Sequence, residues 1–168
     1  MVEVKNICKS YGKQSVLNGL SLSISKGEIV SIVGSSGSGK TTLLRILSGL
    51  EIPESGSVNL DDVVVNSSDI FIPPEKRGCS LVFQDYALFP NMTMLENIYF
   101  GKGSENNKDI VSELIHVTNI EKILKKYPHE CSGGEQQRVA LVRSMVTQPN
   151  VILMDEPLSN LDFHLKSK

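Results

Sequence analysis

Residues 34–41 read Gly-Ser-Ser-Gly-Ser-Gly-Lys-Thr, and the reading of that stretch decides the fold. It fits G-x-x-x-x-G-K-[ST], a loop that cradles phosphate when it joins a strand to a helix. Both flanks agree. Before it, residues 29–33 (Ile-Val-Ser-Ile-Val) predict a short apolar strand of the kind buried on both faces of a parallel sheet. After it, residues 40–50 predict a helix with an apolar face of Leu43, Leu44, Ile46, Leu47 and Leu50. A flexible Gly/Ser linker would lack this context. The chemistry follows from the residue types. Small residues at Gly34, Ser35, Ser36, Gly37, Ser38 and Gly39 let the backbone curl so that successive N–H groups point inward. The helix N-terminus adds positive dipole. Lys40 can reach the β- and γ-phosphates of a nucleotide, and the Thr41 hydroxyl, followed by Thr42, can hold Mg²⁺.

Outward from the loop, the pattern stays mixed. Upstream, Val2, Val4 and Ile7, then Val16, Leu20, Leu22 and Ile24, alternate as half-buried strands do. Downstream, residues 57–65 and 79–83 read as further strands. Helical spacing runs from Met92 to about Asn119, broken at residues 101–107. A further helix is expected from Ile120 to about Lys126, ahead of Pro128. Ser132 with Glu135 three residues later is a capping box, opening a helix whose buried face is Val139, Val142, Met145 and Val146. Residues 151–154 (Val-Ile-Leu-Met) form a second short apolar strand, ending in Asp155-Glu156.

Composition narrows the classes. The 168 residues suit one compact unit with a real core. With 40% hydrophobic and 21% charged residues, the chain is neither disordered nor collagen-like. A formal net charge of -2, from 17 Lys+Arg against 19 Asp+Glu, gives no electrostatic footprint for nucleic acid. Aromatics at 5% and the absence of Trp argue against a base-stacking platform. No apolar run approaches the roughly 20 residues that cross a bilayer, and residues 1–6 lack the apolar stretch of a secretory signal. Cys8, Cys79 and Cys131 are odd in number and scattered, so reduced thiols are expected rather than disulfides or a zinc site.

Two further motifs carry chemistry. Asp155 and Glu156 stand at the C-terminal end of an apolar strand, where ligands bind in open α/β sheets. Asp155 can hold Mg²⁺ through water, and Glu156 can act as general base on an attacking water or orient it. Alone, such a pair is also an ordinary solvated strand end. The run Ser132-Gly133-Gly134-Glu135 gives a second helix N-terminus, another potential anion site, though local physics alone would equally make it a cap with two hinge glycines.

The phosphate loop, Val82-Phe-Gln84, Ser-Gly-Gly, Asp155-Glu156 and Ser159-Asn-Leu-Asp162 occur in that order. The order resembles the nucleotide-binding domain of ATP-binding cassette (ABC) transporters over essentially the whole chain. The resemblance implies an α/β fold: a P-loop NTPase (RecA-like) core with an antiparallel β subdomain and an inserted helical subdomain. Residues 1–84 and 151–168 would form the core and β subdomain, and about 85–150 the helical subdomain. It implies an ATPase using ATP and Mg²⁺. Tyr11 would stack on adenine beside Val16. Gln84 would join Mg²⁺ and water and sense a transmembrane permease. A second ABC subunit would pair head to tail, so that Ser132 and Gly134 of one clamp the γ-phosphate held by Lys40 of the other, with Asp162 in the loop crossing the interface. The wording at residues 72–77, 82–90 and 97–101 resembles bacterial importers, with ferric iron and polyamine branches nearest. Such a subunit would sit in the cytoplasm, peripheral on the inner face of the membrane. A binding module without turnover is the alternative.

Departures from the family pattern also set expectations. The signature usually reads Leu-Ser-Gly-Gly-Gln, and here Cys131 and Glu135 replace the outer two. Cys131 would pack as a small hydrophobe, while Glu135 brings negative charge near a phosphate site. The family continues with further core strands, a switch histidine and, in importers, a regulatory domain. His116, His129 and His164 do not take that histidine's place, so the chain is expected to lack the last core strands.

Overall fold

The computed structural model describes residues 1–100 and 107–157. The predicted break at residues 101–107 falls largely outside them, as do Asp162 and His164. The described chain divides into two units, Met1–Cys79 and Ser80–Lys168.

In the first unit, alternating apolar residues build an antiparallel sheet. β1 (Val2–Tyr11) pairs with β2 (Gln14–Ile24) on one side and β3 (Ser55–Leu60) on the other, and β4 (Val63–Asn66) completes the order β2-β1-β3-β4. The register places Val2 opposite Ile24 and Leu60, and Val4 opposite Leu22 and Val58. Val2, Val4, Ile7, Leu17, Val58, Leu60 and Val65 are buried, so the period of two puts one face in the core. The expected strand over 57–65 is two strands. Asp61 and Asp62 both take left-handed backbone (φ 45° and 65°), which folds the segment into a two-residue hairpin.

α1 (Lys40–Ser48) follows the glycine-rich loop, and Leu43, Leu44, Ile46 and Leu47 are buried as the spacing predicts. It ends earlier than expected. Gly49 turns left-handed (φ 84°), and the N–H groups of Gly49 and Leu50 donate to Ile46 O and Arg45 O, closing a Schellman motif that leaves Leu50 exposed. The buried Arg77 reinforces this end. Its Nη1 donates to Ile46 O at 2.8 Å and Leu47 O at 3.1 Å, while its Nε donates to Ile72 O at 2.6 Å.

Residues 29–33 depart from expectation. They belong to neither sheet of the described residues, and Ile29 and Val33 are 98% and 91% exposed. Apolar, β-branched composition gives a segment the capacity for a doubly covered strand, but the ladder bonds must come from neighbours.

In the second unit, β5 (Cys79–Val82) and β6 (Val151–Met154) form a two-stranded sheet, and Asp155 N–H donates to Val82 O at 3.0 Å. α2 (Met94–Tyr99), α3 (Lys108–Val117) and α4 (Gly133–Val146) share a core of Met94, Ile98, Val111, Ile115, Ile120, Ile123, Val139, Val142 and Val146. α2 starts later than the periodicity suggests because Thr93 and Glu96 form a capping box. The helix expected over 120–126 is only a 3₁₀ turn, Glu121–Ile123. Asn97, fully buried in α2, accepts from Phe89 N–H at 2.8 Å and donates to the carbonyls of Phe89, Met92 and Thr93, pinning the preceding loop.

Arg77→Ala is expected to lower stability by about 3 kcal/mol, because it removes three charge-assisted hydrogen bonds to backbone carbonyls and the packing of a buried side chain. Urea unfolding checks it; a loss below about 0.5 kcal/mol would mean that solvent replaces the guanidinium.

Candidate functional site

The first unit carries the glycine-rich loop. Gly39 caps α1 in left-handed backbone (φ 91°), and no side chain closes that N-terminus. A Cβ at Gly39 would lie 2.9 Å from Leu17 Cδ2 and 3.1 Å from Val16 O, so only glycine fits both the angle and the space. The sequence-predicted Val16 is thereby placed against the loop. Leu43 N–H already donates to Gly39 O at 2.9 Å, so the helix starts cleanly behind its bare first turn. Lys40 Nζ donates to Gly34 O at 2.8 Å and Ser35 O at 2.9 Å, folding the ammonium back over the loop mouth. Thr41 is exposed and Thr42 partly so. No acidic residue lies in the first turn of α1, so an anion meets dipole and ammonium without repulsion.

Tyr11 is 47% exposed. Its hydroxyl donates to Glu51 Oε2 at 3.1 Å, and Lys9 Nζ lies 2.6 Å from Glu51 Oε1 and 5.3 Å from the ring centroid. The Lys9 ammonium bonded to Glu51 holds that carboxyl below the usual glutamate range. Lys9 and Glu51 escaped the sequence reading because they lie 42 positions apart and meet only when β1 and the turn after α1 come together.

The second unit carries the rest. Gln84 is exposed just beyond β5, and Asp155, half-buried, begins where β6 ends. The Asp155–Val82 bond therefore brings the ends of both strands together. Glu156 is exposed and left-handed (φ 47°) although a proline follows it, a costly conformation. Gln137 of α4 donates to Pro157 O, fastening that turn to the helix. Among the described residues no cluster of three or more His, Cys, Asp or Glu could hold a metal by itself.

Ser132 caps α4 as predicted. Its N–H and hydroxyl donate to Glu135 Oε2 at 2.7 and 2.8 Å, and Glu135 N–H donates back to Ser132 Oγ at 3.4 Å. The bond from Ser132 N–H, then that from its hydroxyl, holds the Glu135 carboxyl below the usual range. Gly133 is exposed and Gly134 half-buried at the same terminus. This terminus is self-satisfied where that of α1 is bare, and only by releasing Glu135 could Ser132 offer its hydroxyl proton to an anion. Cys131 packs against the helical core, as a small hydrophobe does, and all three cysteines are free. Beside the Gln84 loop, an open groove of about 350 Å³ is lined by Phe83, Ala87, Phe89, Phe100, Ala140 and Arg143, among others.

A family model described as "ABC transporter" matches residues 17–159. The chain is 43% identical over 173 residues to the spermidine/putrescine import ATP-binding protein PotA of Haemophilus influenzae, covering 100% of this chain and 45% of that protein. It is 44% identical over 169 residues to the Fe(3+) ions import ATP-binding protein FbpC of Mesorhizobium japonicum, covering 99% of this chain and 47% of that protein. The chain thus spans just under half the length of these relatives. Among solved structures, the dimeric structure of MJ0796, a bacterial ABC transporter cassette, is 34% identical with a TM-score of 0.82, covering 96% of this chain and 76% of that one. A post-hydrolysis state of the same cassette bound to ADP and Pi gives 0.80 at 34% identity, covering 98% and 77%.

Gly39→Ala is expected to destabilise the first unit more than Gly37→Ala. Both lose a left-handed glycine, at about 1–2 kcal/mol, but a Cβ at Gly37 meets open space. Equal losses in denaturant unfolding would remove the packing argument. The folded-state pKa of Glu135 is depressed, so its stabilisation is complete above the usual glutamate range and fades as pH falls through it. Glu135→Gln should flatten the acid limb of the stability–pH curve; an unchanged limb would assign it to other carboxylates.

Proposed function

The chain belongs to the ABC transporter family, and from that premise we propose that it binds ATP with Mg²⁺ and hydrolyses it to power solute import through membrane permease subunits. The observation that carries the proposal is the uncapped, acid-free N-terminus of α1, with Lys40 folded over it. On this reading Lys40 exchanges two backbone carbonyls for β- and γ-phosphate oxygens, and residues 34–42 cradle the phosphates with their N–H groups. Tyr11 stacks on adenine beside Val16. Thr41, Gln84 and Asp155 are the oxygen donors assigned to Mg²⁺, all hard ligands of the right kind. Bound there, Mg²⁺ supplies charge that offsets the phosphate oxygens. Glu156 takes a proton from the attacking water or orients it, and Lys40 with the loop N–H groups stabilises the developing charge.

The family resemblance supports the rest. A second subunit pairs head to tail, with Ser132, Gly133, Gly134 and Glu135 facing the partner's nucleotide and Asp162 at the interface. The aromatic-lined groove beside Gln84 is the surface we assign to a permease. Polyamine or ferric iron is the solute class, by analogy with the relatives' names. We assign residues 1–84 and 151–168 to the core with its β subdomain and about 85–150 to the helical subdomain. No helix among the described residues is long and apolar enough to cross a membrane, and we place the chain peripherally on the cytoplasmic face. A second reading, binding without turnover, is favoured by the exposed residues 29–33 directly before the loop.

Saturating Mg-ATP should raise the melting temperature of the chain, by about 2.7 kcal/mol of stabilisation at 100 times the dissociation constant. Lys40→Ala should abolish that shift, and an unshifted parent would overturn the ATP reading. Glu156→Gln should keep the shift while lowering turnover by about 100-fold or more. Turnover at the parent's rate would remove Glu156 as base, and a parent that binds without turnover would favour the second reading.

A further inference from the structure

α4 ends in a cation that the proposed mechanism does not use. Arg143, in its last turn, donates from Nη1 to Ala87 O and from Nη2 to Tyr86 O, both at 2.8 Å, and its guanidinium carbon lies 5.9 Å from the Phe89 ring centroid. Among the described residues no salt bridge engages it. Burial alone pulls its pKa down, with no carboxylate to offset the cost. A partly desolvated cation is therefore met by two consecutive backbone carbonyls and an aromatic ring, with no carboxylate. Those carbonyls belong to Tyr86 and Ala87, which both hold left-handed backbone at φ 63° and 45° without being glycine. Such conformations persist only where the surroundings over-determine them.

The strained pair directly follows Gln84-Asp85. Tyr86 N–H donates to Phe83 O at 3.0 Å, so residues 83–86 form one turn. Its front end is anchored on β6 through the Asp155–Val82 bond. Its back end is anchored on α4 by Arg143. Ser132 caps the opposite end of the same helix, about 16 Å away at 1.5 Å per residue.

We propose that Arg143 is a positioning residue that locks the Gln84 turn to α4, so that the turn carrying Gln84 and the helix capped by Ser132 respond to nucleotide as one body. The proposal rests on the ATP reading above and adds a regulatory link to it. Arginine is required because its planar fork serves two carbonyls at once, where a lysine ammonium acts as a single point. A groove wall that includes Ala87 and Arg143 puts this lock where pressure from a docked partner would reach it.

The test compares the whole chain with Arg143→Met and Arg143→Lys. Methionine keeps the packing volume and removes the buried charge, so the variant is expected to fold. Amide hydrogen exchange is read at residues 84–88 and 132–136, with and without Mg-ATP. In the parent, Mg-ATP should raise protection in both segments together. In Arg143→Met, residues 84–88 should lose protection even without nucleotide, while 132–136 still respond, with a lowered melting temperature but a single cooperative transition. Turnover should fall about 100-fold with KM for ATP nearly unchanged, as a misplaced catalytic group produces. Arg143→Lys should recover part of both losses. Parent-like exchange at 84–88 in Arg143→Met would overturn the proposal, as would a turnover loss that merely tracks the unfolded fraction. A parent whose melting does not respond to Mg-ATP would sink the ATP reading instead, and exchange at 84–88 without nucleotide would still decide whether Arg143 locks the turn.

Discussion

The first turn of α1 has no side chain to satisfy its N–H groups, and much of the proposed chemistry depends on that. α2 and α4 each close their N-termini with a hydroxyl and a glutamate, Thr93 with Glu96 and Ser132 with Glu135. α1 instead starts on a left-handed glycine with no acid in its first turn. An uncapped terminus costs stability unless something else supplies the acceptors. Lys40 folds its ammonium over Gly34 O and Ser35 O, which on the proposed reading it exchanges for phosphate oxygens. Gly39 is fixed there by Leu17 and Val16, so the β-sheet of the same unit sets the shape of the phosphate loop.

Two arginines show a second constraint. Arg77 and Arg143 are both drawn out of water without a carboxylate to meet them, and both spend their forks on backbone carbonyls. One finishes the helix behind the phosphate loop, and the other holds the turn after Gln84. The same chemistry thus secures a helix end in one unit and a strained turn in the other. Neither role is visible in the sequence, where nothing within a few positions of Arg77 or Arg143 marks the carbonyls that each meets.

Residues 29–33 separate composition from structure. Their apolar, β-branched character marks strand capacity clearly, yet they lie exposed and outside both sheets. The hairpin at Asp61-Asp62 teaches the converse. Residues 57–65 alternate like one strand, but two consecutive left-handed aspartates reverse the chain, a conformation that Asp tolerates and periodicity does not register.

By itself the sequence determined what is local: the phosphate loop and its helix, the capping box at Ser132, the alternation of β1 and β2, the acidic end of β6 and the order of motifs that marks the family. Apart from the motif order, which spans residues 34–162, each is set by residues within a few positions of one another, where steric preference and hydrogen-bond reach act directly. Only the tertiary structure decided that Lys9 and Glu51 brace Tyr11, that Gln137 fastens the turn at Glu156, and that Arg143 reaches Tyr86 across 57 positions. These contacts join groups whose separation along the chain carries no periodic signal, and they form because buried donors and acceptors must find partners wherever packing places them.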